Sequence, residues 1–271
     1  MEQVRVAILD LYAGTPGMGM GNLKRIVEEV YPPIVYDIFD VRQHAEVPDL
    51  SYDIYISSGG PGDPREGDGV WDKAYFDWVD ALLAHNRAHP HHPKYAFFIC
   101  HSFQMLCHHL KMGRVSKRPK KSFGVFPVEK TAQGKDFFLF RLLNDPFYVA
   151  DFRSYQIRPN LRRIDELGVE ILAMELEDMR LHRYGAMMAL RITDHIIATQ
   201  FHPEADPEGM MNYAVKDDWR NIIISQYGEE IYREMIDHLE DPQKIDLTFK
   251  SVLPVFLHQA ANAVSRIPAL V

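Results

Sequence analysis

Four short runs, at residues 4–11, 34–41, 52–58 and 95–100, are dominated by β-branched, aliphatic and aromatic residues, the composition of buried strands. Between them the period changes. A glycine-rich turn at 14–21 feeds a helix expected to begin near Asn22, and residues 71–85 carry Trp71, Ala74, Tyr75, Trp78, Val79 and Leu82 at helical spacing. The third run ends in Gly59-Gly60-Pro61-Gly62-Asp63-Pro64, which continues neither regular structure and predicts a tight loop. After Cys100, Phe103, Leu106, Cys107 and Leu110 recur at i, i+3, i+4 and i+7, with Gly113 the expected C-cap. This alternation predicts an α/β fold, a mainly parallel sheet with helices on both faces.

Beyond Gly113 shorter strand-like pieces follow at 123–128, 147–153, 169–174, 186–192 and 195–201, read as antiparallel additions to the sheet. Residues 192–196 have the form of a hairpin turn, so the strand leading to His202 should run antiparallel to its predecessor. From Glu208 the pattern is helical. Met210, Met211, Ala214, Val215, Trp219, Ile222, Ile223 and Tyr227 can share an apolar face, and 247–267 holds a helix expected to break near Pro254. The expected organisation is a principal domain at 1–206 and a helical extension at 207–271 that packs on it or on a second subunit, a homodimer.

Composition narrows the function classes. The 271 residues are 46% hydrophobic and carry a net charge of −8, which argues against a general binder of nucleic acid or membrane surface. The basic stretch at 111–121 reads as a solvated loop. No apolar run approaches the ~20 residues of a membrane-spanning helix. Two cysteines and the direct entry of residues 1–5 into a strand, without a signal-peptide pattern, suggest a cytoplasmic setting. The histidines at 85, 89, 91, 92, 101, 108 and 109 lack the spacing of a zinc site, and the 14–21 turn lacks the Lys-Ser/Thr ending of a phosphate loop. No metal or cofactor is expected.

The chemistry centres on Cys100. A thiol at a strand-to-helix turn lies beside the N–H groups at the positive end of a helix, a setting that favours thiolates. A cysteine nucleophile needs a base, and the base an orienting partner. Thr199-Gln200-Phe201-His202-Pro203-Glu204 supplies both: the strand ends at His202, Pro203 stops it, and Glu204 can fold its carboxylate back to the imidazole. The Gly59–Gly62 loop is suited to an oxyanion hole, because glycine amides approach a tetrahedral oxygen unobstructed.

At these three segments the sequence resembles the class I glutamine amidotransferases, of the GMP synthase-like kind, whose signatures are a Gly-Pro-Gly loop, a Cys-x-Gly-x-Gln elbow and a Gln-Phe-His-Pro-Glu ending. The resemblance spans about residues 4–206, with Gly19-Met20-Gly21-Asn22-Leu23 also similar to the first βα turn of some members. It implies a flavodoxin-like domain in which Cys100 attacks the glutamine amide, His202 relays protons, Glu204 orients His202, and Cys100 carries a γ-glutamyl thioester until water releases glutamate. It further implies that the Gly60 and His101 amides form the oxyanion hole and that Gly59, Gln104, Arg153, Ser154 and Tyr155 surround the substrate. Ammonia would serve an acceptor or synthetase on another chain. Phe98 and Ser102 stand where the family usually has glycine, so the surroundings of Phe98 should be repacked. Arg153 and Tyr155 replace the usual histidine and acid, and an arginine favours a substrate carboxylate. Homoserine acyltransferases share the fold, the cysteine, the His-Pro-Glu ending and a similar His-Ser-Arg-Tyr segment. Acyl transfer through Cys100 and a non-catalytic regulatory role therefore stand as alternatives.

Overall fold

In the computed structural model, which describes residues 3–30, 34–176 and 185–266, the chain forms nine strands and ten α-helices among those residues. The first half alternates: β1 (Val4–Asp10), α1 (Gly19–Glu28), β2 (Ile34–Asp40), the short α2 (Val41–His44), β3 (Ile54–Ser57), α3 (Trp71–Ala88), β4 (Tyr95–Ile99) and α4 (His101–His109). The second half contains β5 (Gly113–Lys130), α5 (Ala132–Asp136), a 3-10 turn at Phe138–Phe140, β6 (Phe147–Pro159), α6 (Leu161–Leu167), β7 (Glu170–Glu175), β8 (Met187–Thr193) and β9 (Ile196–Thr199). Four helices follow: α7 (Pro207–Ala214), α8 (Asp217–Tyr227), α9 (Glu229–Glu240) and α10 (Ile245–Arg266).

All nine strands join one sheet in the order β2-β1-β3-β4-β9-β8-β7-β5-β6. The first five in that order pair in parallel and the remainder antiparallel, so the flavodoxin-like fold carries an antiparallel wing. Both faces of the parallel part are covered, which explains the nearly continuous hydrophobicity of its strands. Val6, Ile8, Ile54, Ile56, Phe97 and Ile99 point to a core shared with α1 and α10, while their neighbours Ala7, Leu9, Tyr55, Ala96 and Phe98 point to one shared with α3 and α4. Phe98 is buried against Trp78, ring centroids 6.0 Å apart, in an aromatic cluster with Tyr55 and Tyr75.

Several expectations are corrected. Helix α1 begins at Gly19, inside the expected 14–21 turn, and α3 runs three residues past His85 to Ala88. Gly113 is not the cap of α4. Lys111 takes the left-handed conformation (φ 58°), with the amides of Lys111 and Met112 donating to His108 O and Cys107 O, while Gly113 opens β5, where a side chain would strike the Arg158 backbone. The basic stretch at 111–121 is largely strand: β5 pairs with β6 through residues 113–117 and again from Ser122, with a bulge between, while most of its cations face water. Helices α7 and α8 divide the apolar face expected of one segment. Pro254 sits inside a continuous α10, whose buried neighbours Leu253, Phe256 and Leu257 hold the helix in place. The last residue of the expected 247–267 helix lies outside the described residues.

Candidate active site

Four adjacent parallel strands, β1, β3, β4 and β9, end along one edge of the sheet. Their carboxyl ends deliver Tyr12, Gly59-Gly60, Cys100 and Gln200-Phe201-His202 to the same place. Cys100 occupies the turn between β4 and α4 with φ 49° and ψ −94°, a conformation that costs a non-glycine residue about 1–3 kcal/mol. The turn is held by Ser102. Its hydroxyl accepts from Ile99 N at 2.7 Å and lies 2.8 Å from Ser57 O and 3.0 Å from Ile99 O, tying the elbow to β3. Where the family usually has glycine, this chain has a buried tether.

Cys100 is only 4% exposed, but it lines a cavity of about 390 Å³ together with Tyr12, Gly60, Phe152, His202 and Glu204. His202 lines the same cavity as Cys100, and its Nδ1 lies 2.8 Å from Glu204 Oε1. Burial alone would pull the His202 pKa down, but the Glu204 carboxylate and the Cys100 sulfur, through charge and hydrogen bonds, hold it well above its ordinary value. The imidazole thus faces the cavity it shares with Cys100 while its Nδ1 contacts Glu204.

The two loop glycines follow from close approach. A Cβ on Gly59 would lie 2.8 Å from His202 Cε1, and one on Gly60 would overlap the Leu11 carbonyl. Gly59 thus packs on the imidazole and Gly60 on the end of β1. His101 opens α4, where first-turn amides have no intrahelical acceptor. Its side chain is buried elsewhere, its pKa pushed down to about 3 by burial and by Arg42. Only its backbone is available for an oxyanion.

The other expected substrate residues are placed differently. Gln104 is buried, with Nε2 donating to Gln200 Oε1 at 3.0 Å and to Tyr155 O at 3.1 Å. The expectation that Arg153 meets a substrate carboxylate is corrected: its side chain is 1% exposed, 2.8 Å from Asp151 and 3.4 Å from Glu175. Those carboxylates outweigh the burial that would lower its pKa and hold it raised. Glu175 is in turn clamped by Arg118 at 2.7 Å and 3.0 Å. The Tyr155 ring lies beneath Arg65, which pairs with Asp63, and so ties the end of the glycine loop to β6. Ser154 stands half-buried between them on β6. None of Arg153, Ser154 and Tyr155 lines the cavity.

Two residues of the site were not singled out from the sequence. Gln200 Nε2 lies 3.7 Å from Cys100 Sγ, completing a line from sulfur through Gln200 to Gln104. The signal was its place inside the marked 199–204 segment. Tyr12 lines the cavity beside His202, its hydroxyl lying against Gly19, where a Cβ would collide with it, and close to Gly59. Burial and the charges at Glu204 and Cys100 hold the phenol protonated. Among the described residues no group of three or more histidines, cysteines and carboxylates could hold a metal, and no helix is long and apolar enough to cross a membrane.

Comparison with known proteins places the chain in a family and a fold. The model of the family "Glutamine amidotransferase class-I" matches residues 22–221. No curated protein matches the chain by sequence. A solved glutamine amidotransferase from Thermotoga maritima is 17% identical with a TM-score of 0.66, over 96% of this chain and 99% of that one. A glutamine amidotransferase from Methylobacillus flagellatus is 14% identical with a TM-score of 0.53, over 97% of this chain and 92% of that one. The glutaminase domain of Trypanosoma brucei CTPS, solved with bound acivicin, is 15% identical with a TM-score of 0.52, over 74% of this chain and 86% of that one. At these identities the structures establish a shared fold.

Proposed function

This chain belongs to the class I glutamine amidotransferase family, and on that footing we propose that it hydrolyses the side-chain amide of glutamine through a γ-glutamyl thioester on Cys100. The observation that carries the proposal is the strained Cys100 turn opening into the same cavity as a His202–Glu204 pair at 2.8 Å. In this reading Cys100 Sγ attacks the amide carbon, and the imidazolium of His202 gives its proton to the departing nitrogen. Glu204 keeps the imidazole charged and correctly turned until that step. The amides of Gly60 and His101 stabilise the oxyanion. Water, deprotonated by His202, then releases glutamate.

Gln104 and Gln200 act beneath the sulfur as positioning residues, and Arg153 and Tyr155 fix the wall on which the cavity rests. In this reading the buried Arg153 pairs with Asp151 and Glu175 and does not meet the substrate. Ammonia would pass to an acceptor or synthetase on another chain. The test is glutamate release from glutamine by the purified chain, with and without acivicin. Release that acivicin abolishes, and that Cys100→Ala lacks, supports the proposal; no release by the folded chain contradicts it.

A further inference from the structure

A second cavity, of about 290 Å³, lies beside the catalytic one. The two share Pro16, Gly17, Met18, Phe123, Phe152 and Met210, so they lie side by side along a common wall. The remaining walls come from α7, α8 and α9, including Ala214, Trp219, Ile223 and Met235, and no charged side chain lines it. Such a space takes an uncharged apolar group, since a buried charge without a partner is costly.

The junction fixes which end of a substrate enters. Phe152 lines both cavities, and its ring lies 5.9 Å from that of His202. During thioester formation the imidazole donates its proton to the leaving nitrogen, so the leaving group lies on the His202 side of the scissile bond. Anything attached to that nitrogen extends past Phe152 into the apolar space. Ammonia from glutamine would leave that space unused.

We infer that the chain takes γ-glutamyl amides whose nitrogen bears an uncharged apolar substituent of about benzyl size, seated in the second cavity. The inference rests on the thioester chemistry proposed above. Cys100 Sγ bonds to the γ-carbonyl carbon, the C–N bond breaks, and the amine leaves with the proton from His202. Water then attacks the thioester, its proton returns to His202, and glutamate departs.

The experiment compares glutamine, γ-glutamylbenzylamide and γ-glutamyl-4-carboxybenzylamide, reading glutamate released by the full chain. The benzylamide should exceed glutamine at least ten-fold in kcat/KM, and the carboxylated amide should fall at least ten-fold below the benzylamide. Ala214→Phe, which fills the cavity, should lower the benzylamide-to-glutamine ratio ten-fold, and the substrate comparison on the unaltered chain stands if that variant misfolds. Glutamine turnover equal to or above that of the benzylamide would overturn the inference and leave the proposed function intact; the cavity would then serve something else, such as a partner's side chain. Equal turnover of the charged and uncharged amides would also overturn it. Release from none of the three would overturn both readings.

Discussion

Gln200 Nε2 stands 3.7 Å from Cys100 Sγ while Gln200 Oε1 accepts from Gln104 at 3.0 Å, so one buried amide couples the nucleophile to the helix that follows it. The Gln200→Leu variant removes the contact and orphans a Gln104 N–H. Its Cys100 alkylation by acivicin should slow about ten-fold, and its stability should fall by about 1–3 kcal/mol. Timed mass spectrometry and urea unfolding measure the two effects. Unchanged alkylation would show that the amide only packs.

His202 is held above its ordinary pKa by Glu204 and Cys100 against the opposing effect of burial. A group raised on folding contributes stability that is fully present below its unfolded pKa, about 6.5, and is lost as pH climbs through the raised value. Thermal unfolding followed upward from pH 6 should show the native chain losing stability relative to Glu204→Gln. The variant should also lose about 10²–10⁴ in glutaminase rate. A native chain that gains relative stability with rising pH would contradict the assignment.

Gly59→Ala places a methyl 2.8 Å from His202 Cε1, whereas Gly21→Ala meets open space. Activity should drop at least ten-fold in the first and stay within two-fold in the second, an effect of imidazole displacement that kcat reports. Equal activity in the two variants would mean that the ring can move without cost.

Arg153→Met leaves Asp151 and Glu175 without their shared cation. Breaking a buried pair in this way costs about 3–5 kcal/mol, measurable by denaturant unfolding. A residue that instead bound the substrate carboxylate would raise the KM for glutamine with little change in stability, and that pattern would restore the sequence-based expectation.

The parallel half of the fold and the Cys100, His202 and Glu204 positions were legible because each is marked locally: a change of hydrophobic period at Cys100, a proline after His202, glycines where backbone and imidazole must approach. The length of β5 was not, since lysines at 111–121 read as solvent-seeking whether the backbone is looped or paired, and the ladder with β6 is a long-range fact. The cap at Lys111 escaped notice because a lysine was not expected to take a left-handed turn that glycine usually occupies. The true setting of Arg153 depends on Glu175 and Arg118, far along the chain, so no local pattern could show that its charge was already matched. Tyr12 lacked any motif, and its position is set by which strand ends share an edge.

The central claim is that Cys100 carries the γ-glutamyl group. The measurement that tests it most directly is acid quenching of the chain during turnover of isotope-labelled glutamine, followed by peptide mapping. Label should appear on the peptide holding Cys100, in amounts that rise to a steady level, and should be absent in Cys100→Ala. Glutamate release with no label on Cys100, or label on another residue, would contradict it.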